Sequence, residues 1–182
     1  MIKAVGLDLS LVKSGYAIVT EDGSVLASGV IKSKPVGDKP VDETKRIVKI
    51  AEELMQKIDE LSPDEDPDIV VIEGLAFMAR NSTALVQLSG LNYLVRTLLN
   101  EFKWPFVIVA PTSLKKFITG SGKGDKDMMM MTVFKNYGHE ALDNNECDAY
   151  SLAVCGLATL GKPLIKMAKP QEEVTLLLKK QL

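Results

Sequence analysis

Cysteine and histidine are almost missing from this chain: Cys147, Cys155 and His139 are the only ones in 182 residues. So few soft ligands make a zinc site an unsuitable reading. Eight residues apart on one helix, the two thiols would lie roughly 12 Å from each other, beyond disulfide reach. No apolar run approaches the 18 or so residues of a membrane span. Lys3, Asp8 and Lys13 interrupt the first twenty residues and leave no signal-peptide core, so a cytoplasmic location is expected. Charge of one sign is also lacking. The net charge of −2 does not announce a nucleic-acid binder. With 46% apolar and 25% charged residues, the composition excludes bulk disorder. A chain of this length fits one domain and can bury roughly 70% of its unfolded surface, so it needs no disulfide or metal to fold.

The distribution of charge says more than its sum. Residues 52–73 hold nine acids and one lysine, whereas residues 103–135 hold six lysines and two aspartates. Such a basic segment either forms a solvated face or tracks phosphates.

Three short strands are expected first, over 2–9, 15–20 and 24–31, with Asp22-Gly23 turning the second into the third. After a loop, Asp42 reads as the N-cap of a helix carrying Ile47, Ile50, Leu54 and Ile58 at helical spacing. Residues 68–72 and 106–110 read as buried parallel strands. Helices are expected over 82–102, 113–118, 125–137 and 144–160, with the last capped by Asp143. Gly120-Ser-Gly-Lys-Gly124 reads as a flexible loop, and its spacing is not that of a P-loop. Met128 to Met131 read as helix filler and core, His139 as a surface or helix-end residue. Residues 164–182 read as a mobile tail with a short amphipathic helix, leaving 1–163 as the domain. Three antiparallel strands followed by alternating helices and strands is the element order of a ribonuclease-H-like fold: α/β, a mixed five-stranded sheet with an antiparallel three-stranded meander and helices on both faces.

Two apolar strands end in a single carboxylate, Asp8 and Glu73, and a third, Asp148, sits near the start of the last core helix. Charge at the edge of a buried run is costly unless it is paired or bound to metal. Three such positions suggest a hard-cation site for Mg2+ or Mn2+, with two ions holding the attacking water and leaving oxygen of a phosphodiester.

These residues lie in segments that resemble the RuvC-type Holliday-junction resolvases. Val5-Gly-Leu-Asp8-Leu-Ser10 through Gly15-Tyr-Ala-Ile18 is similar to that family's opening strand and turn. Glu73-Gly-Leu-Ala-Phe77-Met-Ala-Arg80-Asn81 resembles its second acidic block, with a one-residue insertion after the acid. Ala110-Pro-Thr112, Lys115 and 119–126 resemble its basic segment, and 146–153 its last acidic block. The resemblance covers about residues 3–160.

The resemblance implies a homodimeric nuclease for branched DNA that uses two Mg2+ ions, with Mn2+ able to substitute. Asp8, Glu73 and Asp148 take the catalytic and metal-ligating positions. The fourth, three residues before the last aspartate, is Asn145, a neutral oxygen where the family has aspartate or histidine. Glu146 next to it is the ionised alternative, turned about 100° round the helix. Lys115, Lys116, Lys123 and Lys126 are implied DNA contacts. Arg80 lies in the second acidic block and is a further candidate contact, and Phe77 either stacks on an unpaired base or is core. The leucine-rich helix 82–102 can serve a core face and a partner face. Two other readings stay open: an ATP-binding domain like those of sugar or acetate kinases, which open with a similar strand and turn, and a weakly catalytic module that binds branched DNA. A recombination motor as partner is left open.

Overall fold

The computed structural model describes residues 1–61, 66–75 and 83–182. Phe77 and Arg80 lie outside the described residues, as does most of the acidic break after the first helix. The strands are β1 (Lys3–Asp8), β2 (Lys13–Thr20), β3 (Val25–Lys32), β4 (Ile69–Glu73) and β5 (Phe106–Val109). The helices are α1 (Pro40–Leu61), α2 (Thr83–Glu101), α3 (Pro111–Thr119), α4 (Lys126–Tyr137), α5 (Asn144–Thr159) and α6 (Lys169–Lys179). The sheet order is β3-β2-β1-β4-β5, antiparallel across the first three strands and parallel from β1 to β5. This is the expected mixed sheet. Among the described residues no helix is long and apolar enough to cross a membrane.

Strand pleating sorts the core into two layers. Val5, Leu7, Val70 and Ile72 point to the face covered by α1 and α2, where they meet Leu54, Ile58, Leu91 and Val95. Ala4, Ile69 and Val71 point to the other face, against Leu152, Ala153 and the helices α3 to α6. The same parity puts Asp8, four residues after Ala4, and Glu73, two after Val71, on the α5 face. Leu7 pairs with Ile72 in parallel register, so one step further sets Asp8 beside Glu73.

Helix α5 is almost wholly buried and lies unusually close to β1 and β2. A Cβ on Gly6 would stand 1.9 Å from the Ala149 carbonyl oxygen, and one on Gly15 would stand 2.1 Å from that of Asn145. Any other residue at these two crossings must push the helix away.

Three expectations change. Helix α1 begins at Pro40, not after Asp42. Proline suits a first helical position, and the Asp42 and Glu43 N–H groups already bond the Lys39 carbonyl at 2.9 and 3.2 Å. His139 is half-buried rather than a surface residue, with its ring stacked on Tyr150 at 4.0 Å. The segment 164–182 is docked, not a loose tail. Val174 and Leu178 are buried in the α3–α5 layer. Gln181 bonds both the N–H and the carbonyl of Ile108, at 2.9 and 3.0 Å, capping the exposed edge of β5.

Gly6→Ala is therefore expected to destabilise the fold by about 3 kcal/mol or more, an overpacking cost with backbone on the receiving side. Urea denaturation measures it; an unchanged midpoint would mean that α5 does not sit this close.

Candidate active site

The site lies where β1 and β4 end and α5 begins. Asp8 and Glu73 come from the strand ends. Asp148 sits in the second turn of α5, where the Gly6 and Gly15 crossings press the helix onto the sheet. Asp143 caps that helix, its Oδ1 accepting from the Asn145 and Glu146 N–H groups at 3.0 and 3.1 Å. Cys147 and Cys155 are free and buried, and burial pushes both thiols up to about 12, which leaves them inert packing groups.

The three carboxylates are strongly perturbed. Burial, then the charges of Glu73 and Asp148, push Asp8 up to about 8. Burial and Asp148 push Glu73 up to about 7. Asp148 is also raised by burial. Lys126 acts against this rise at all three, and Lys115 at Glu73 and Asp148. The structure thus brings together Asp8, Glu73, Asp148, Lys115 and Lys126. As placed, no three acidic, histidine or cysteine side chains among the described residues form a ready chelate for one ion. The donor set is nonetheless all oxygen, and its acids feel one another's charge. A hard divalent cation is the group that fits such a set.

The remaining expected residues separate. Asn145 donates from its amide nitrogen to the Lys13 carbonyl, which fixes the side chain against β2 and leaves its oxygen uncommitted among the described residues. Glu146 is not placed as a metal ligand. It is buried and turned away: one oxygen accepts from the Ser28 hydroxyl, the other from the Leu142 N–H at 2.9 Å, and His139 stands 3.9 Å off. The 100° turn from Asn145 carries it to the β3 side of the helix. Lys116 is likewise drawn from the expected DNA surface, paired at 2.5 Å with Glu173 of α6. Lys123 stays exposed in the loop before α4. Asp143 is a site neighbour that the sequence showed only as a cap; its charge adds to the rise at Asp8.

Residues 4–156 match the family described as crossover junction endodeoxyribonuclease RuvC. The chain belongs to the RuvC family. The RuvC of Anaeromyxobacter sp. (strain Fw109-5) is 32% identical over 158 residues, 85% of this chain and 72% of the relative. That of Synechococcus sp. (strain WH7803) is 28% identical over 161 residues, covering 85% and 97%. Among solved structures, Thermus thermophilus RuvC superposes with a TM-score of 0.70 at 19% identity, covering 88% of this chain and 98% of that one. The same protein in complex with a Holliday junction substrate also gives 0.70, at 16% identity, covering 89% and 98%. These two likenesses show the ribonuclease-H-like fold. RuvC nucleases depend on a divalent metal, in keeping with the acidic cluster found here.

A raised carboxylate destabilises the fold as it ionises. The Asp8 penalty is absent below about pH 4 and complete above about pH 8. Asp8→Asn is thus expected to raise the metal-free melting temperature by about 5 °C or more at pH 8.5 and to change it little at pH 4. Thermal melts in a chelator test this; equal melting temperatures at pH 8.5 would contradict the burial of Asp8.

Proposed function

We infer that this chain is a divalent-metal-dependent, structure-specific endonuclease that hydrolyses phosphodiester bonds in four-way (Holliday) junctions or related branched DNA. The observation that carries this reading is the convergence of Asp8, Glu73 and Asp148, flanked by Lys115 and Lys126, in a member of the RuvC family. The family match sets aside the kinase-like alternative.

Asp8, Glu73 and Asp148 would hold the metal, and the Asn145 amide oxygen would add a neutral donor. Two Mg2+ ions, or Mn2+ in their place, would neutralise charge at the scissile phosphate and acidify the attacking water. Lys115 and Lys126 would take phosphate oxygens beside the cut, with Lys123 reaching out from a loop whose glycines admit the backbone closely. A junction has twofold symmetry, so two copies of the chain would present two sites to two strands. Val86 and Tyr93 on α2 are 70% and 62% exposed and suit the partner face of such a dimer. The reading places the protein with the DNA, in the cytoplasm.

Asp148→Asn keeps the lysines and removes a charged ligand. Cleavage of a four-way junction in Mg2+ is expected to fall by a factor of about 100 or more, on the order of one missing transition-state interaction, while junction affinity persists. Full-rate cleavage by the variant would remove Asp148 from the site. A wild-type chain that binds junctions but cuts none in Mg2+ or Mn2+ would be the weakly catalytic module instead.

A further inference from the structure

A second concentration of positive charge lies outside the segment 103–135. The end of β3, the loop after it and the first half of α1 enclose a groove of about 300 Å³. Lys32, Lys34, Lys45, Arg46 and Lys49 line it against two acids, Asp42 and Glu53. One of those acids is already paired, Glu53 with Lys49 at 3.6 Å. In a chain of net charge −2, the lining of this groove is a local excess of positive charge. Lys32, Lys34 and Lys45 are exposed.

The groove stands at the same end of the sheet as the carboxylates. Asp8 pairs with Gly15, Gly15 with Val30, and Lys32 follows two residues later, opposite Lys13. Two strand spacings across and two residues along put the Asp8 and Lys32 backbones roughly 12 Å apart. Arg46 ties the two places together. Its Nε donates to the Ser33 hydroxyl at 2.9 Å, and a terminal nitrogen donates to the Leu11 carbonyl, three residues beyond Asp8. The groove is therefore held at a fixed offset from the site. Lys115 and Lys126 press on the carboxylates from the α3–α4 side, on the α5 face of the sheet; the groove lies past the β3 edge, with its α1 residues on the opposite face.

We propose that the groove of Lys32, Lys34 and Lys45 is a second phosphate-binding surface, which holds the DNA backbone a few nucleotides from the scissile bond. This deepens the proposed function and rests on it. Phosphates along one strand rise about every 3.4 Å along the duplex axis and wind round it, so Lys32, at roughly 12 Å from Asp8, falls within a few nucleotides of a bond cut at the carboxylates. Exposed lysines suit this task because they meet phosphate as mobile point charges and release its counterions.

The test is the salt dependence of junction binding in a chelator, for wild type and for Lys32→Gln/Lys34→Gln/Lys45→Gln. Arg46 is left in place because it anchors Leu11. The slope of log affinity against log salt is expected to be shallower in the triple variant by about 2 to 3, at roughly 0.9 for each phosphate that is no longer neutralised. An equal slope, in a wild-type chain that cuts junctions in Mg2+, overturns this surface and leaves the functional reading intact; an acidic protein as the groove's true occupant would give that result. A wild-type chain that neither binds nor cuts branched DNA sinks the functional reading and this surface with it.

Discussion

The approach of α5 to β1 and β2 is the constraint on which the rest depends. Gly6 and Gly15 leave no side chain at the two crossings, so helix backbone meets strand backbone at distances a Cβ would forbid. That contact sets the depth of the core layer containing Leu152 and Ala153. It also brings the first turns of α5, carrying Asn145 and Asp148, down to the ends of β1 and β4. A helix lifted by one methyl group would keep its apolar surroundings and lose the alignment of its carboxylate with those of the strands.

Close approach has an electrostatic consequence. Packing that buries the helix also removes water from Asp8, Glu73 and Asp148 and sets their charges against one another. Lys115 and Lys126 offset only part of this. The fold thus maintains a cluster that is unfavourable to itself and favourable to a divalent cation. Stability is given up where ion binding recovers it, a common pattern at functional sites. Glu146 shows the contrast on the same helix: also acidic and buried, it is satisfied by Ser28 and the Leu142 N–H and takes a structural place.

Much of this was legible in the sequence. Asp8 and Glu73 stood out because each ends an apolar run, and strand parity then carries both to one face. Asp143 was readable as a cap because capping is local; it accepts from N–H groups two and three residues ahead. What stayed hidden depends on distant partners. Lys116 looked like its neighbour Lys115 until Glu173, 57 residues away, claimed it. The segment 164–182 read as a tail because Gly161 and Pro163 end the last core helix before it. Its hold comes from Val174 and Leu178, and from a glutamine that meets an edge strand 73 residues back. The β3–α1 groove stood in the sequence only as six cations against three acids over 32–49; it is the fold that gathers Lys32 and Lys34 beside Lys45 and Lys49.

The most direct measurement of the central claim is proton release on Mg2+ binding. Calorimetric titrations at pH 7 in two buffers of different ionisation enthalpy count the protons displaced. With Asp8 pushed up to about 8 and Glu73 to about 7, binding should expel about one proton or more per site. Heats that do not depend on the buffer would show the carboxylates already ionised at pH 7, and would contradict a cluster buried and crowded by the docking of α5.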